Sequence, residues 1–155
     1  MNKKYAILLA AGLSIATTSF AADNQILPAM KKQPIPEKVL AEHLDALNQC
    51  DWNRLVAQYP EDAEIHLPDG VMLKGRQKVG DLFNGFCKER PNGLFGLKFT
   101  VQTSFKVGNT FNVMWKADAP FLAEPYIGSD AYVTRNGMMA AMVTTFDGSK
   151  LKFKQ

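Results

Sequence analysis

Leu97-Lys-Phe-Thr-Val-Gln-Thr-Ser-Phe-Lys-Val-Gly-Asn-Thr-Phe-Asn-Val-Met-Trp-Lys-Ala117 is the stretch whose reading decides the fold. Leu97, Phe99, Val101, Thr103 and Phe105 alternate with Lys98, Thr100, Gln102, Ser104 and Lys106, which is the period of a half-buried strand. Gly108-Asn109 turns the chain into a second alternation of Phe111, Val113, Trp115 and Ala117. Downstream, Pro120 to Gly128 reads as a longer apolar loop and Asp130 to Arg135 as a strand. Asn136-Gly137 is a strong hairpin signal, and Met138 to Phe146 returns. The second half of the chain is therefore a meander of four antiparallel strands.

Upstream the period changes from two to about 3.6. Pro36 suits a first helical turn. Val39, Leu40, His43, Leu44 and Leu47 then recur at spacings of three and four, predicting an amphipathic helix that ends near Gln49. Asp51 reads as the N-cap of a short second helix, Trp52 to Gln58. Ala63, Ile65 and Leu67 alternate with Glu64 and His66, and Pro68-Asp-Gly70 turns into a short strand from Val71 to Leu73. Gly75 to Lys88 is a third helix with Val79, Leu82, Phe83 and Phe86 on one side, closed by Arg90-Pro-Asn-Gly93. Gly80 and Gly85 weaken it by about 1 kcal/mol each against alanine. Helices gathered early and antiparallel strands late give the α+β class.

The N-terminus has another logic. Lys3 and Lys4 precede an apolar run from Tyr5 to Ala16, and Ser19-Phe-Ala21 supplies small residues for cleavage. The run falls short of the roughly 20 residues of a membrane span. We read residues 1–21 as a secretory signal peptide of bacterial type, 22–35 as a flexible lead-in and 36–155 as one domain. The expected destination is the periplasm or the medium, with no membrane attachment after cleavage. The whole chain carries a net +3, and without Lys3 and Lys4 the remainder carries +1. Its basic residues are scattered among acids and form no stripe, so a nucleic-acid partner is not indicated. Cys50 and Cys87 are the only cysteines. In an oxidising compartment such a pair suggests a disulfide, and two separate buried thiols are the alternative. A zinc site would need more ligands, and no metal is indicated.

Several stretches together resemble the SnoaL-like branch of the nuclear-transport-factor-2-like superfamily, which includes steroid isomerase-like proteins. They are Val39 to Asp51, Tyr59-Pro-Glu-Asp-Ala-Glu-Ile-His-Leu-Pro-Asp-Gly70, Lys74-Gly-Arg-Gln-Lys-Val79 and Gly128-Ser-Asp-Ala-Tyr-Val-Thr-Arg-Asn-Gly137. The resemblance implies a conical α+β barrel, in which a curved, mainly antiparallel sheet wraps around three N-terminal helices and encloses an apolar pocket. It also implies a small hydrophobic ligand, no cofactor, and a homodimer, since members are often dimers. Many members are enzymes, and many others only bind.

Position by position, the resemblance narrows the chemistry. The general-base carboxylate of steroid isomerase-like members falls here on Leu67, which cannot move a proton. Their hydrogen-bonding tyrosine on the first helix falls on His43, which periodicity independently places on the apolar face. A second pocket acid falls on Asp130. A His43–Asp130 pair is thus the candidate catalytic couple of an isomerase, cyclase or dehydratase. The alternatives are an inward histidine satisfied by a backbone carbonyl or water, and an aspartate that hydrogen-bonds a strand start. Desolvation would raise the Asp130 pKa unless an imidazolium pairs with it. Tyr59, Leu67, Phe83, Trp115, Tyr132 and Phe146 are the candidate pocket wall, or plain core. His66 shares a strand face with Glu64 and is expected outside. Ser104 and Ser129 lack a nucleophile-elbow context. Met138, Met139 and Met142 offer either an adaptable surface for a protein partner or ordinary packing.

Overall fold

The structure is a computed structural model and describes residues 25–155. The expected signal segment lies outside the described residues, among which no helix is long and apolar enough to cross a membrane. Three helices precede most of the sheet: α1 (Pro36–Gln49), α2 (Trp52–Ala57) and α3 (Arg76–Phe86). The strands are β1 (Glu64–His66), β2 (Met72–Lys74), β3 (Lys98–Val107), β4 (Thr110–Asp118), β5 (Tyr126–Arg135) and β6 (Met138–Thr144). They form one six-stranded sheet in the order β2-β1-β6-β5-β4-β3. All neighbours are antiparallel except β1 and β6. The sheet is curved and open, and the helices fill its concave side in the α+β cone that the sequence led us to expect.

Local chemistry explains the helix ends. Pro36 opens α1, and Cys50 closes it in a left-handed conformation at φ 51°. The Asp51 side chain accepts from the Arg54 backbone N–H, capping α2 as expected. Cys50 and Cys87, each at the C-terminal cap of its helix, are joined by a disulfide across 5.5 Å between Cα atoms. That bond ties α1 to α3. Gly80, which propensity alone marks as a weak point of α3, lets the Trp52 ring pack close, and the Trp52 indole N–H donates to its carbonyl at 2.8 Å.

The segment ahead of α1 has no helix or strand from Gln25 to Gln33, yet it is held to the domain. Lys31 N–H donates to Ala57 O and Gln33 N–H to Gly137 O, both at 2.8 Å. Buried Arg76 donates to the carbonyls of Val56 and Pro28.

Two readings of the sheet need correcting. Tyr126, Ile127 and Gly128, placed in a loop by the sequence, are the start of β5 and pair with Ala117, Lys116 and Trp115. Gly128 is a close-approach glycine rather than a loop residue, because a Cβ there would meet the Trp115 ring at 2.4 Å. In β3 the alternation slips. Val101 lies opposite Trp115 but Thr103 lies opposite Met114, so a bulge at Gln102 reverses the faces beyond it. Phe99 thus packs inward beside Trp115, whereas Phe105 and Val107 are exposed on the convex face. Met114, Ile127 and Val143 are also exposed there, as the registers of β4, β5 and β6 dictate. Met138, Met139 and Met142 are buried, which removes them as a partner surface.

Candidate functional site

The concave side of the sheet and the facing sides of α1 and α3 leave a chamber of 80 Å³. Its wall is formed by His43 and Leu47 from α1, Leu82, Phe83 and Phe86 from α3, Leu67 after β1, and Phe99, Asp130, Tyr132, Met142, Thr144 and Phe146 from the sheet side. The spacing seen in the sequence explains the helical contribution. His43 and Leu47 stand four residues apart on one face of α1; on α3, Leu82 and Phe83 stand four and three residues before Phe86. Asp130 and Tyr132 alternate inward along β5.

His43 is fully buried in a cage of three rings. Their centroids lie 6.0 Å away for Tyr59, 5.8 Å for Phe83 and 5.3 Å for Tyr132. Its Nδ1 lies 3.4 Å from the Tyr59 hydroxyl, a long contact, and its Nε2 has no hydrogen-bond partner among the described residues. Burial disfavours the imidazolium and lowers the His43 pKa from 6.5 to about 4. The ring is therefore neutral at physiological pH.

Asp130 is also buried, and its pKa is raised by desolvation. Opposing that shift are the Thr144 hydroxyl, the Tyr132 hydroxyl, the Trp115 indole and the Thr145 backbone N–H. Tyr132 O–H donates to Asp130 Oδ2 at 2.8 Å and Thr145 N–H to Oδ1 at 3.3 Å. The buried Trp115 Nε1–H closes no hydrogen bond among the described residues and acts on the carboxylate only as a nearby dipole. Burial raises both phenols, Tyr59 and Tyr132, and the charge of Asp130 adds to it.

His43 and Asp130 line one chamber, with Tyr132 hydrogen-bonded to the acid and its ring against the imidazole. The acid's partners are Tyr132 and Thr145, not the imidazole. Of the two electrostatic outcomes open at the sequence level, the desolvated and unpaired one holds. Leu67, Phe83, Tyr132 and Phe146 reach the wall as expected. Tyr59 and Trp115 do not. Both are fully buried one layer behind, Tyr59 against His43 and Trp115 under Phe99 and Phe146. Sequence reasoning missed Leu47, Leu82, Phe86, Phe99, Met142 and Thr144 as wall residues. The first four carried a signal, since each stood on an apolar face; nothing local marked Met142 or Thr144. His66 lies beside Glu64, with Nε2 3.4 Å from Oε2, and takes no part in the chamber.

Leu67, Leu82, Phe86 and Phe146 also border a wider outer basin of 810 Å³, so the chamber and the basin share these four side chains. Pro68, Asp69, Asp81, Leu94, Asp147 and Lys150 complete much of its rim.

Comparison with known proteins agrees with this architecture. The family model of the SnoaL-like domain matches residues 40–150. A protein of unknown function from Cytophaga hutchinsonii, of nuclear-transport-factor-2-like type, superposes with a TM-score of 0.60 at 18% identity, over 77% of this chain and 96% of its own. A computationally designed 17-OHP binder superposes with a TM-score of 0.60 at 16% identity, over 77% and 98% of the two chains. A protein with a ketosteroid isomerase-like fold from Catenulispora acidiphila, in complex with trimethylamine, gives 0.56 at 13% identity, over 74% and 88%. No curated protein matches the chain in sequence. At these identities the likeness to solved structures concerns the fold.

Proposed function

This chain belongs to the SnoaL-like domain family, and on that premise we propose that it is an exported pocket protein that binds a small apolar molecule carrying one oxygen. The observation that carries the reading is His43 Nε2, a buried polar atom of a chamber-lining residue that has no hydrogen-bond partner among the described residues. A buried unpartnered polar group costs about 1–3 kcal/mol, and a ligand group placed against it recovers that cost. In the tautomer in which Tyr59 O–H donates to Nδ1 the proton sits on Nε2 and that nitrogen donates; in the other tautomer Nε2 accepts, and a ligand hydroxyl serves either. Similar folds that hold small ligands, the designed 17-OHP binder and the trimethylamine complex, support a ligand-binding role. The apolar N-terminal run supports export to the periplasm or the medium.

Native mass spectrometry of protein purified from its own host tests the reading. Retained ligand, or a thermal shift from a panel of apolar alcohols, ketones, steroids, polyketides and fatty acids, supports it. Protein recovered empty and unmoved by the whole panel overturns it.

A second reading, proton transfer, rests on Asp130. Its carboxyl is raised by desolvation inside the chamber and held by Tyr132, a setting suited to a group that alternately takes and gives a proton. Turnover of an enolisable ligand that falls by orders of magnitude in both His43→Ala and Asp130→Asn establishes it. Unchanged turnover in either variant removes it.

The convex face supports a homodimer. Phe105, Val107, Met114, Ile127 and Val143 expose apolar side chains on neighbouring strands, a patch that a second copy would cover. Light scattering should give twice the chain mass, and Met114→Asp with Ile127→Asp should return it to one.

A further inference from the structure

The wall of the chamber is a cage of aromatic rings around one buried acid. His43, Phe83, Phe86, Phe99, Tyr132 and Phe146 supply the rings, and they fall into two groups. On one side the His43 centroid lies 5.8 Å from Phe83 and 5.3 Å from Tyr132. On the other, Phe86, Phe99 and Phe146 form a triangle with centroid separations of 6.1, 5.9 and 5.8 Å. The Asp130 carboxyl neighbours both groups. Tyr132 of the first donates to it, and the Trp115 indole beside it packs against Phe99 and Phe146 of the second.

The charge available in this cage has one sign. No lysine or arginine lines it, and burial holds His43 neutral. Asp130 enters no ion pair among the described residues. The Tyr132 hydroxyl and the Thr145 N–H that donate to it are neutral, and they fill part of the roughly four acceptor sites of a carboxylate. Burial without a countercharge raises its pKa, a penalty that a cation beside it would relieve. Aromatic faces add to the preference, since their quadrupole attracts a cation. The second polar group of the wall calls for a ligand on separate grounds: His43 Nε2 is buried and unpartnered among the described residues. In the tautomer in which Nε2 accepts, an ammonium N–H satisfies it. Volume limits the ion. At 80 Å³ the chamber is about half the size of the cavity that accommodates a benzene ring, which leaves room for about three or four heavy atoms.

We propose that the chamber takes a compact alkylammonium ion in preference to a neutral molecule of the same shape. Its N–H groups donate to the Asp130 carboxylate and to His43 Nε2, and its alkyl groups lie against the phenylalanine triangle. An anion of the same size is repelled by Asp130. This inference rests on the ligand-binding reading above and goes beyond it: an ammonium N–H takes the place of the ligand oxygen at His43 Nε2, and the ligand carries a charge.

NMR titration of the protein at neutral pH with four probes tests it. Isopropylammonium and 2-propanol share one skeleton and differ in charge, acetate is an anion of similar size, and cyclohexylammonium is a wider cation. Isopropylammonium should bind about tenfold more tightly than 2-propanol, with acetate and cyclohexylammonium weaker than either. It should also lower the pH at which the Asp130 carboxyl carbon titrates, which 2-propanol should not do. Asp130→Asn should abolish the preference for the cation. Phe146→Leu, which keeps an apolar side chain but loses the ring face, should reduce that preference about threefold. The comparison of probes on the parent protein stands even where a variant fails to fold. Binding of 2-propanol as tightly as isopropylammonium overturns the cation class while the pocket reading stands. Tighter binding of cyclohexylammonium than of isopropylammonium overturns the size limit while the pocket reading stands. A preference that survives in Asp130→Asn places the cation elsewhere and overturns the assignment. No binding of the four probes by a protein that retains a ligand from its host overturns the cation class alone, and the same result with host protein that is empty and unmoved by the panel overturns both readings.

Discussion

The two histidines of this chain carry the same side chain into opposite environments. His43 sits on α1 inside a ring of aromatics, wholly buried and without an acid against it. His66 sits on β1 outside the chamber, part-exposed, with Glu64 beside it and Lys74 also on that carboxylate. Burial keeps His43 neutral near physiological pH, while His66 sits part-exposed beside Glu64 and Lys74. The difference teaches that residue type supplies a repertoire and that the surrounding apolar surface selects from it.

The sharpest way to break the contrast is to release α1. Replacing Cys50 and Cys87 with alanine removes the link between α1 and α3, whose separation in sequence is 37 residues. Chain entropy sets the loss at about 4 kcal/mol. Urea denaturation of the variant and of the parent, with and without reductant, measures it. The same variant should raise the His43 pKa in NMR titration as water reaches the chamber.

Acid is the next lever. The folded chain keeps His43 neutral down to about pH 4, whereas the unfolded chain protonates it near 6.5. Between these values the unfolded state binds more protons, so stability falls as pH falls, by about 3 kcal/mol in all. His43→Gln should flatten that slope, and His66→Ala should preserve it. Asp130 works in the other direction: its pKa is raised on folding, so its contribution is present at low pH and lost as pH rises through the raised value. Denaturation midpoints from pH 4 to 7 separate the two, since only the slope that vanishes in His43→Gln belongs to the imidazole.

Tyr59→Phe probes the His43 tautomer. The contact is long, so the loss of stability should be about 1 kcal/mol or less, but the imidazole nitrogen shifts should move as Nδ1 loses its partner. Unmoved shifts would show that Tyr59 does not set the proton position. Smallest of all is His66→Ala, expected within about 0.5 kcal/mol because its partner is part-exposed and 3.4 Å away. A larger loss would make the outer cluster structural and narrow the contrast with His43.

Much of the fold was legible because its signals are local. Pro36, the period of α1, the Asp51 cap and the Asn136-Gly137 turn each constrain a few consecutive residues, and each stands where it was read. The bulge at Gln102 was not legible, since register depends on which residues of β4 lie opposite. Gly128 misled for the same reason: its neighbour is the Trp115 ring on another strand. At the site, His43 and Asp130 were found because one stands on an apolar helical face and both occupy positions that the family resemblance marks. Tyr59 and Trp115 were placed one layer too far forward, because alternation tells inward from outward and not wall from backing.

The sequence by itself determined the order of elements, the inward face of α1 and the cap of α2. These follow from side-chain period, capping chemistry and residue identity, which need no knowledge of distant neighbours. Only the tertiary structure decided that Cys50 meets Cys87, that the His43 imidazole is neutral with a nitrogen unpartnered among the described residues, and that a small apolar chamber and an outer basin share four side chains. Distance, desolvation and enclosed volume are properties of surfaces brought together from far along the chain, and no local pattern encodes them.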